Sequence, residues 1–177
     1  MADRQNADRF QEAITPHLGA AYNYARWLTH GNQDAEDLVQ EACLRAFEYF
    51  ESFRGENLRA WLLKIVRNAF LNWAQSGAAK EIPTEPESGL LEQGLTSPDP
   101  HTLLLGHIDA SRLKAAIESL PVEFREVVVL RELEDLSYKE ISEIVKIPIG
   151  TVMSRLARAR SRLHEILSQS QEGGNRS

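Results

Sequence analysis

Apolar residues recur at three- and four-residue intervals over most of the chain, and that spacing predicts helices. Phe10, Ile14, Leu18, Ala21, Ala25 and Leu28 make one stripe. Leu38, Ala42, Ala46 and Phe50, flanked by Val39, Cys43 and Phe47, make a second. Ahead of it, Asp34, Glu36 and Asp37 complement the positive end of a helix dipole. After a break at Glu51-Ser52-Phe53-Arg54-Gly55, a third helix carries Trp61, Leu62, Ile65, Val66, Ala69, Phe70 and Trp73. Phe124, Val127, Val128, Arg131 and Glu134 fit one continuous helix better than the strand that Val127-Val128-Val129-Leu130 suggests in isolation. No run alternates with period two between turn residues, so the fold class is all-α.

Between these helical regions, residues 77–106 lose all periodicity and hold four of the seven prolines and four of the ten glycines. Proline removes amide donors and disfavours helix in the residue before it, so this stretch reads as an exposed connection. A flexible chain of that length spans roughly 30 Å on average. The expected organisation is two small helical domains, 1–76 and 107–170, joined by a flexible linker, with a polar tail at 171–177.

The second domain contains a helix-turn-helix pattern. Ser137-Tyr138-Lys139-Glu140 is a capping box opening a short helix with Ile141, Ile144 and Val145 inward. Lys146-Ile147-Pro148-Ile149-Gly150 is the turn, with Pro148 suited to the first turn of the next helix. There Ile149, Val152, Leu156, Ala159 and Leu163 form an apolar stripe. Thr151, Ser154, Ala157, Arg158 and Ser161 face away from it, with Arg155 and Arg162 at its edge. A second helix with a small, polar and arginine-bearing outer face is what reading a major groove requires.

Charge qualifies this picture. The 177-residue chain has a net charge of −6, which by itself argues against nucleic-acid binding. The sum is uneven, however. Residues 77–106 carry one lysine against five acids, so the linker is acidic, whereas 107–177 carry eleven charges of each sign. Residues 57–76 contain Arg59, Lys64 and Arg67 without an acid, and 151–163 contain Arg155, Arg158, Arg160 and Arg162 without one. Screening confines each charge to about 8 Å at physiological salt, so such local stripes decide what a phosphate backbone meets. In 53–73, the cations and the amides Asn57, Asn68 and Asn72 alternate with aromatics, a combination that holds single-stranded nucleic acid. Trp61 and Phe70 lie on the apolar stripe and read as core; Phe53, in the loop, is the better candidate for a base contact.

Enzymatic chemistry finds no support. The single Cys43 excludes an internal disulfide and a cysteine-based zinc site and reads as a buried small hydrophobe. No two of the five histidines have the spacing of a helical metal pair, and no phosphate loop or nucleophile motif occurs. No catalytic residue, metal or cofactor is expected. Neither a membrane-length apolar run nor a signal core is present, so a cytoplasmic location is expected.

Two segments carry a family resemblance. Asp34-Ala35-Glu36-Asp37-Leu38-Val39-Gln40-Glu41-Ala42, with Ser52-Phe53-Arg54-Gly55 and Ala60-Trp61-Leu62, resembles region 2 of bacterial sigma factors. Leu136 to Ile141 and Ile149 to Arg160 resemble region 4. With only a linker between them, the chain is similar to the extracytoplasmic-function (ECF) group of the sigma-70 superfamily. The resemblance implies docking of Asp34, Asp37, Gln40 and Glu41 on the β′ clamp coiled coil of core RNA polymerase. It also implies melting and recognition of minus-ten promoter DNA by Phe53, Arg54, Asn57, Arg59, Lys64, Arg67 and Asn68. Region 4 would bind the β flap and read minus-thirty-five DNA through Thr151, Ser154, Arg155, Ala157, Arg158 and Arg162. An anti-sigma factor is an implied partner, the linker would thread the polymerase cleft, and the protein would be associated with the nucleoid. Met153 and Ala157 depart from residues that some relatives carry, so base preference does not transfer. The readings that compete with this one are a stand-alone helix-turn-helix repressor or activator and an enzyme with a helical substrate domain.

Overall fold

The computed structural model describes residues 1–77 and 109–173, with side chains to residue 170. Among these residues all regular structure is helical, as expected. Helix α1 (Ala2–Ile14) and α2 (Leu18–Thr29) are separated by a 3₁₀ turn at Thr15–His17. The long stripe predicted from Phe10 to Leu28 therefore divides at Pro16, which has no amide to donate. Helix α2 ends at His30, in the left-handed conformation with φ 60°, its amide donating to the Arg26 carbonyl at 3.0 Å. Helix α3 (Asn32–Tyr49) carries Asp34 in its first turn, in line with the dipole argument. Helix α4 (Leu58–Gln75) is capped by Asn57, whose Oδ1 accepts from the Ala60 amide at 3.0 Å.

Alanines let α2, α3 and α4 approach closely: Ala21, Ala25, Ala42, Ala46 and Ala69 are all fully buried. Leu28, Leu38, Leu62, Leu63 and Val66 fill the space between them. Each fully buried leucine contributes about 1.5–3 kcal/mol relative to exposure, so these large side chains dominate the unit's stability.

The second unit comprises α5 (Ala110–Glu118), α6 (Val122–Val128), α7 (Tyr138–Val145) and α8 (Ile149–Gly173). Helix α6 runs on through a π turn at Val129–Leu133, so the expected continuous helix exists but changes its winding. The Glu134 amide reaches back five residues to the Val129 carbonyl at 3.1 Å, which closes the turn. Leu130, Leu136, Ile141, Ile144, Val152, Leu156, Ala159 and Leu163 make the core. Arg125 is also fully buried, its Nη1 donating to the Glu118 and Leu120 carbonyls; burial lowers its pKa to about 10.

The two units also pack against one another, α2 on α6 and α4 on α7, a seam for which the chain's pattern gave no expectation. The linker expected at 77–106 lies outside the described residues apart from Gly77. Helix α8 extends to Gly173, three residues beyond the expected boundary; 174–177 of the expected tail are not among those described.

Candidate nucleic-acid interfaces

The capping box forms as expected. Ser137 Oγ accepts from the Glu140 amide at 3.1 Å, and the Ser137 amide donates to Glu140 Oε2 at 2.8 Å. This amide hydrogen bond is the main reason the Glu140 carboxyl titrates below its ordinary value; partial burial opposes it and the Asn57 side chain reinforces it. Lys146, left-handed at φ 60°, ends α7 where glycine is commoner. The Pro148 carbonyl accepts from the amides of Thr151 and Val152, at 3.0 and 3.1 Å. Pro148 thus caps α8 from just outside, one position ahead of the first-turn place expected for it.

On α8, Val152, Leu156, Ala159 and Leu163 are buried, but Ile149 is 45% exposed and stands outside the stripe assigned to it. Helical spacing sets Thr151, Ser154, Ala157 and Arg158 away from that stripe, with Arg155 half-buried at its edge and Met153 exposed. Arg162, expected with them, lies over the Phe124 ring at 4.8 Å, and Arg160 pairs with Glu132 at 2.6 Å. The cations available at the N-terminal half of the helix are therefore Arg155 and Arg158. Neither has a hydrogen bond or ion pair to an acid in the described structure.

In the first unit, Phe53 packs on Trp61 with ring centroids 4.9 Å apart. Gly55 permits this placement, since a Cβ there would lie 2.8 Å from Phe53 Cε2. Phe70 is buried as expected, whereas Trp61 is only partly covered. Arg54 turns back on its own loop, donating to the Glu51 and Phe53 carbonyls. Phe53, Arg54, Asn57 and Lys64 border a cavity of about 590 Å³ whose far wall includes Lys139 and Glu140 of the second unit. Asn68 is partly exposed on α4, away from that cavity's lining.

Three residues expected to face DNA instead face the second unit. Asn57 Nδ2 donates to Glu140 Oε1. Arg59 donates to the Glu134 carbonyl and approaches its carboxylate at 3.5 Å. Arg67 grips Glu126 with two nitrogens, Nε at 2.9 Å and Nη2 at 3.2 Å. The fully buried Tyr24 hydroxyl donates to the same carboxylate at 3.3 Å, and burial drives its pKa up, aided by the Glu126 charge. Asn23 Nδ2 donates to Glu134 Oε1 at 3.0 Å. Sequence reasoning missed Tyr24, Glu126 and Glu134. The legible signal was Glu126 at helical spacing from Val122 and Leu130, a carboxylate on an otherwise apolar face.

The outer side of α3 presents a different surface. Asp37 and Gln40 are exposed and Asp34 and Glu41 partly so. Asp37 accepts from Gln33 Nε2 at 3.1 Å and Glu41 pairs with Arg45 at 2.7 Å. Leu44, 69% exposed, and Phe47 continue this face and add apolar area that the sequence reading did not include. Cys43, expected buried, is only partly so; that burial pushes its thiol pKa up. Among the described residues no acid, histidine or cysteine cluster could hold a metal, and no helix is long and apolar enough to cross a membrane.

Comparison with known proteins agrees with this division. Residues 13–79 match the sigma-70 region 2 family and residues 110–163 the sigma-70 region 4 family. The ECF RNA polymerase sigma factor SigE of Mycolicibacterium smegmatis is 31% identical over 169 residues, covering 94% of this chain and 65% of that relative. The ECF sigma-E factor of Escherichia coli is 38% identical over 136 residues, covering 72% of this chain and 70% of the relative. The sigma factor RpoE of Bartonella quintana, solved in complex with the anti-sigma factor NepR, superposes with a TM-score of 0.69 at 28% identity. That match covers 90% of this chain and 97% of RpoE. With a region 2 unit and a region 4 unit in order, the chain belongs to the ECF sigma factors of the sigma-70 family.

Proposed function

We propose that this chain is a non-enzymatic promoter-specificity subunit that binds core RNA polymerase in the cytoplasm and directs initiation at its own promoters on the nucleoid. The observation that carries this reading is the pairing, in one chain, of two different nucleic-acid surfaces. The outward side of α8 bears Thr151, Ser154 and Arg158, with Arg155 at its edge, groups suited to base edges and phosphates of a duplex. The loop before α4 offers an aromatic ring beside a cavity, suited to a base taken out of its stack. A repressor needs only the first surface. A factor that both locates and opens DNA needs the two together.

In this reading region 4 binds the β flap and reads minus-thirty-five DNA, while Phe53, Arg54, Asn57, Arg59, Lys64, Arg67 and Asn68 serve the minus-ten element. Asp34, Asp37, Gln40 and Glu41 dock on the β′ clamp, with Leu44 and Phe47 as an apolar complement. Regulation by an anti-sigma factor is supported by the Bartonella relative, whose structure contains one. The test is permanganate footprinting of a cognate promoter bubble, with and without core enzyme. Thymines should become reactive only with holoenzyme, and Phe53→Ala should weaken opening by a stacking contact worth about 1–3 kcal/mol. Opening by the free chain, or tight duplex binding that never leads to opening with core enzyme, would refute the assignment.

A further inference from the structure

Two large apolar side chains stand exposed at the start of α8: Ile149 is 45% exposed and Met153 52%. They are four residues apart, and Ala157 follows four residues later, so the three form one row along the helix. The row of Thr151, Ser154 and Arg158 runs on the other flank of the outward side, with Gly150 between the two. A Cβ at Gly150 would meet nothing within 4 Å, so no contact inside the protein requires a glycine there. Glycine is destabilising in a helix relative to alanine, and what it offers in return is close approach of another molecule to the backbone. The Ser154 hydroxyl donates back to the Thr151 carbonyl at 3.1 Å, which takes up its proton within the helix. From 149 to 164 there is no acid, so nothing along this side repels a phosphate backbone.

We propose that Ile149 and Met153 are specificity-determining residues that read thymine in the upstream element through its C5-methyl group. The inference rests on the reading that α8 enters a major groove, where the first residues of such a helix meet base edges. Neither side chain can question a base by hydrogen bonding: isoleucine has no polar side-chain atom, and the methionine thioether accepts only weakly. Thymine alone carries an apolar group on its major-groove edge, whereas guanine presents two acceptors, cytosine an amino donor, and adenine one of each. A guanine or cytosine edge set against this row would lose its water without gaining a partner, while a thymine there would bury its methyl. Methionine, unbranched and adaptable, can follow that methyl as the helix settles in the groove. Thr151 and Arg158, on the other flank, remain for polar edges and phosphates.

The experiment uses holoenzyme assembled from core enzyme and the full chain, with a library of randomised duplexes as the probe. Captured duplexes are sequenced, and in the best binder each thymine of the upstream element is replaced in turn by deoxyuridine, which lacks only the methyl. One or two positions should lose about fourfold in competition binding, the worth of one buried methyl group. Met153→Ala and Ile149→Ala should each bind the thymine duplex several-fold more weakly than wild type. On the duplex with uracil at the matching position that loss should largely vanish, because protein and DNA changes then remove the same contact. Selection with Met153→Arg should exchange the thymine at its position for guanine, the base that a guanidinium engages through two hydrogen bonds. Indifference to uracil at every thymine, an upstream element selected without thymine, or equal losses by the alanine variants on both duplexes would overturn the proposal. Two failures are thereby told apart. Enrichment of no common upstream element would refute the groove reading and the proposal with it, whereas an element that is selected but indifferent to its methyl groups would refute the proposal alone.

Discussion

Replacing Gly55 by alanine should leave the fold nearly as stable while disabling strand capture. A Cβ at this position lies 2.8 Å from Phe53 Cε2 and 3.1 Å from Cζ. Unstrained carbon contacts need about 3.5–4.0 Å, so the ring must retreat by up to an ångström, and its open side is the adjoining cavity. Retreat separates Phe53 from Trp61 and forfeits an aromatic pair worth about 0.5–1.5 kcal/mol. Alanine returns about 0.4–1 kcal/mol by narrowing the unfolded ensemble, because Gly55 does not adopt the left-handed conformation. The two terms nearly cancel. A melting shift within about 4 °C is expected for a chain of this size.

Function should respond very differently. If the ring in its present position receives a base, moving it removes most of a contact worth about 1–3 kcal/mol. Permanganate reactivity of the promoter bubble in Gly55→Ala holoenzyme should then resemble that of Phe53→Ala. The double variant should be no worse than either single one, since both act through one ring. Wild-type opening by Gly55→Ala, or additive losses in the double variant, would refute the role given to this loop.

Arg158→Ala should abolish discrimination at the minus-thirty-five element by about 1–3 kcal/mol while leaving the melting temperature unchanged; an unaltered holoenzyme footprint would remove Arg158 from the interface. Reversing Asp37 and Glu41 to lysine should slow association with core enzyme and weaken its salt dependence, because complementary surface charge acts chiefly on encounter; stopped-flow rates indifferent to both would exclude this face. The third concerns acid. The Glu140 carboxyl titrates below its unfolded value, so the stability it contributes is intact above that unfolded value and is lost as pH falls through the depressed one. Glu140→Gln should therefore lower stability at neutral pH and flatten the loss below about pH 4.3, the ordinary glutamate value, in thermal melts across that range.

Periodicity located the helices because burial on one side of a helix writes a three-to-four-residue rhythm directly into the sequence. Leu38, Ala42 and Ala46, or Val152, Leu156 and Ala159, are buried as that rhythm demands. The capping box at Ser137 and Glu140 was equally readable, since both partners lie within one turn. What failed to show was non-local. Arg67 meets Glu126 across 59 positions and Asn57 meets Glu140 across 83, and no local rule brings such residues together. Arg162 was assigned to DNA because residues 151–163 lack acids, yet its guanidinium lies over an aromatic ring from a different helix. The π turn after Val128 was invisible for a related reason: one extra residue in a turn hardly alters a pattern read over a few positions.

The seam carries two ion pairs and three further hydrogen bonds to carboxylates. Leucines facing one another across it would have bound the units by area alone, and separating them would expose that area to water. Glu126 and Arg67, once parted, are each fully hydrated, and burying such a pair yields little net stability because desolvation offsets the Coulomb attraction. The arginines released also lose nothing of their usefulness, since the fork that holds a carboxylate fits a phosphate as well. The net charge of −6 comes largely from residues 77–106, whereas at the seam the second unit's glutamates lie against Arg59 and Arg67 of the first, so local placement and not the total decides what a phosphate meets.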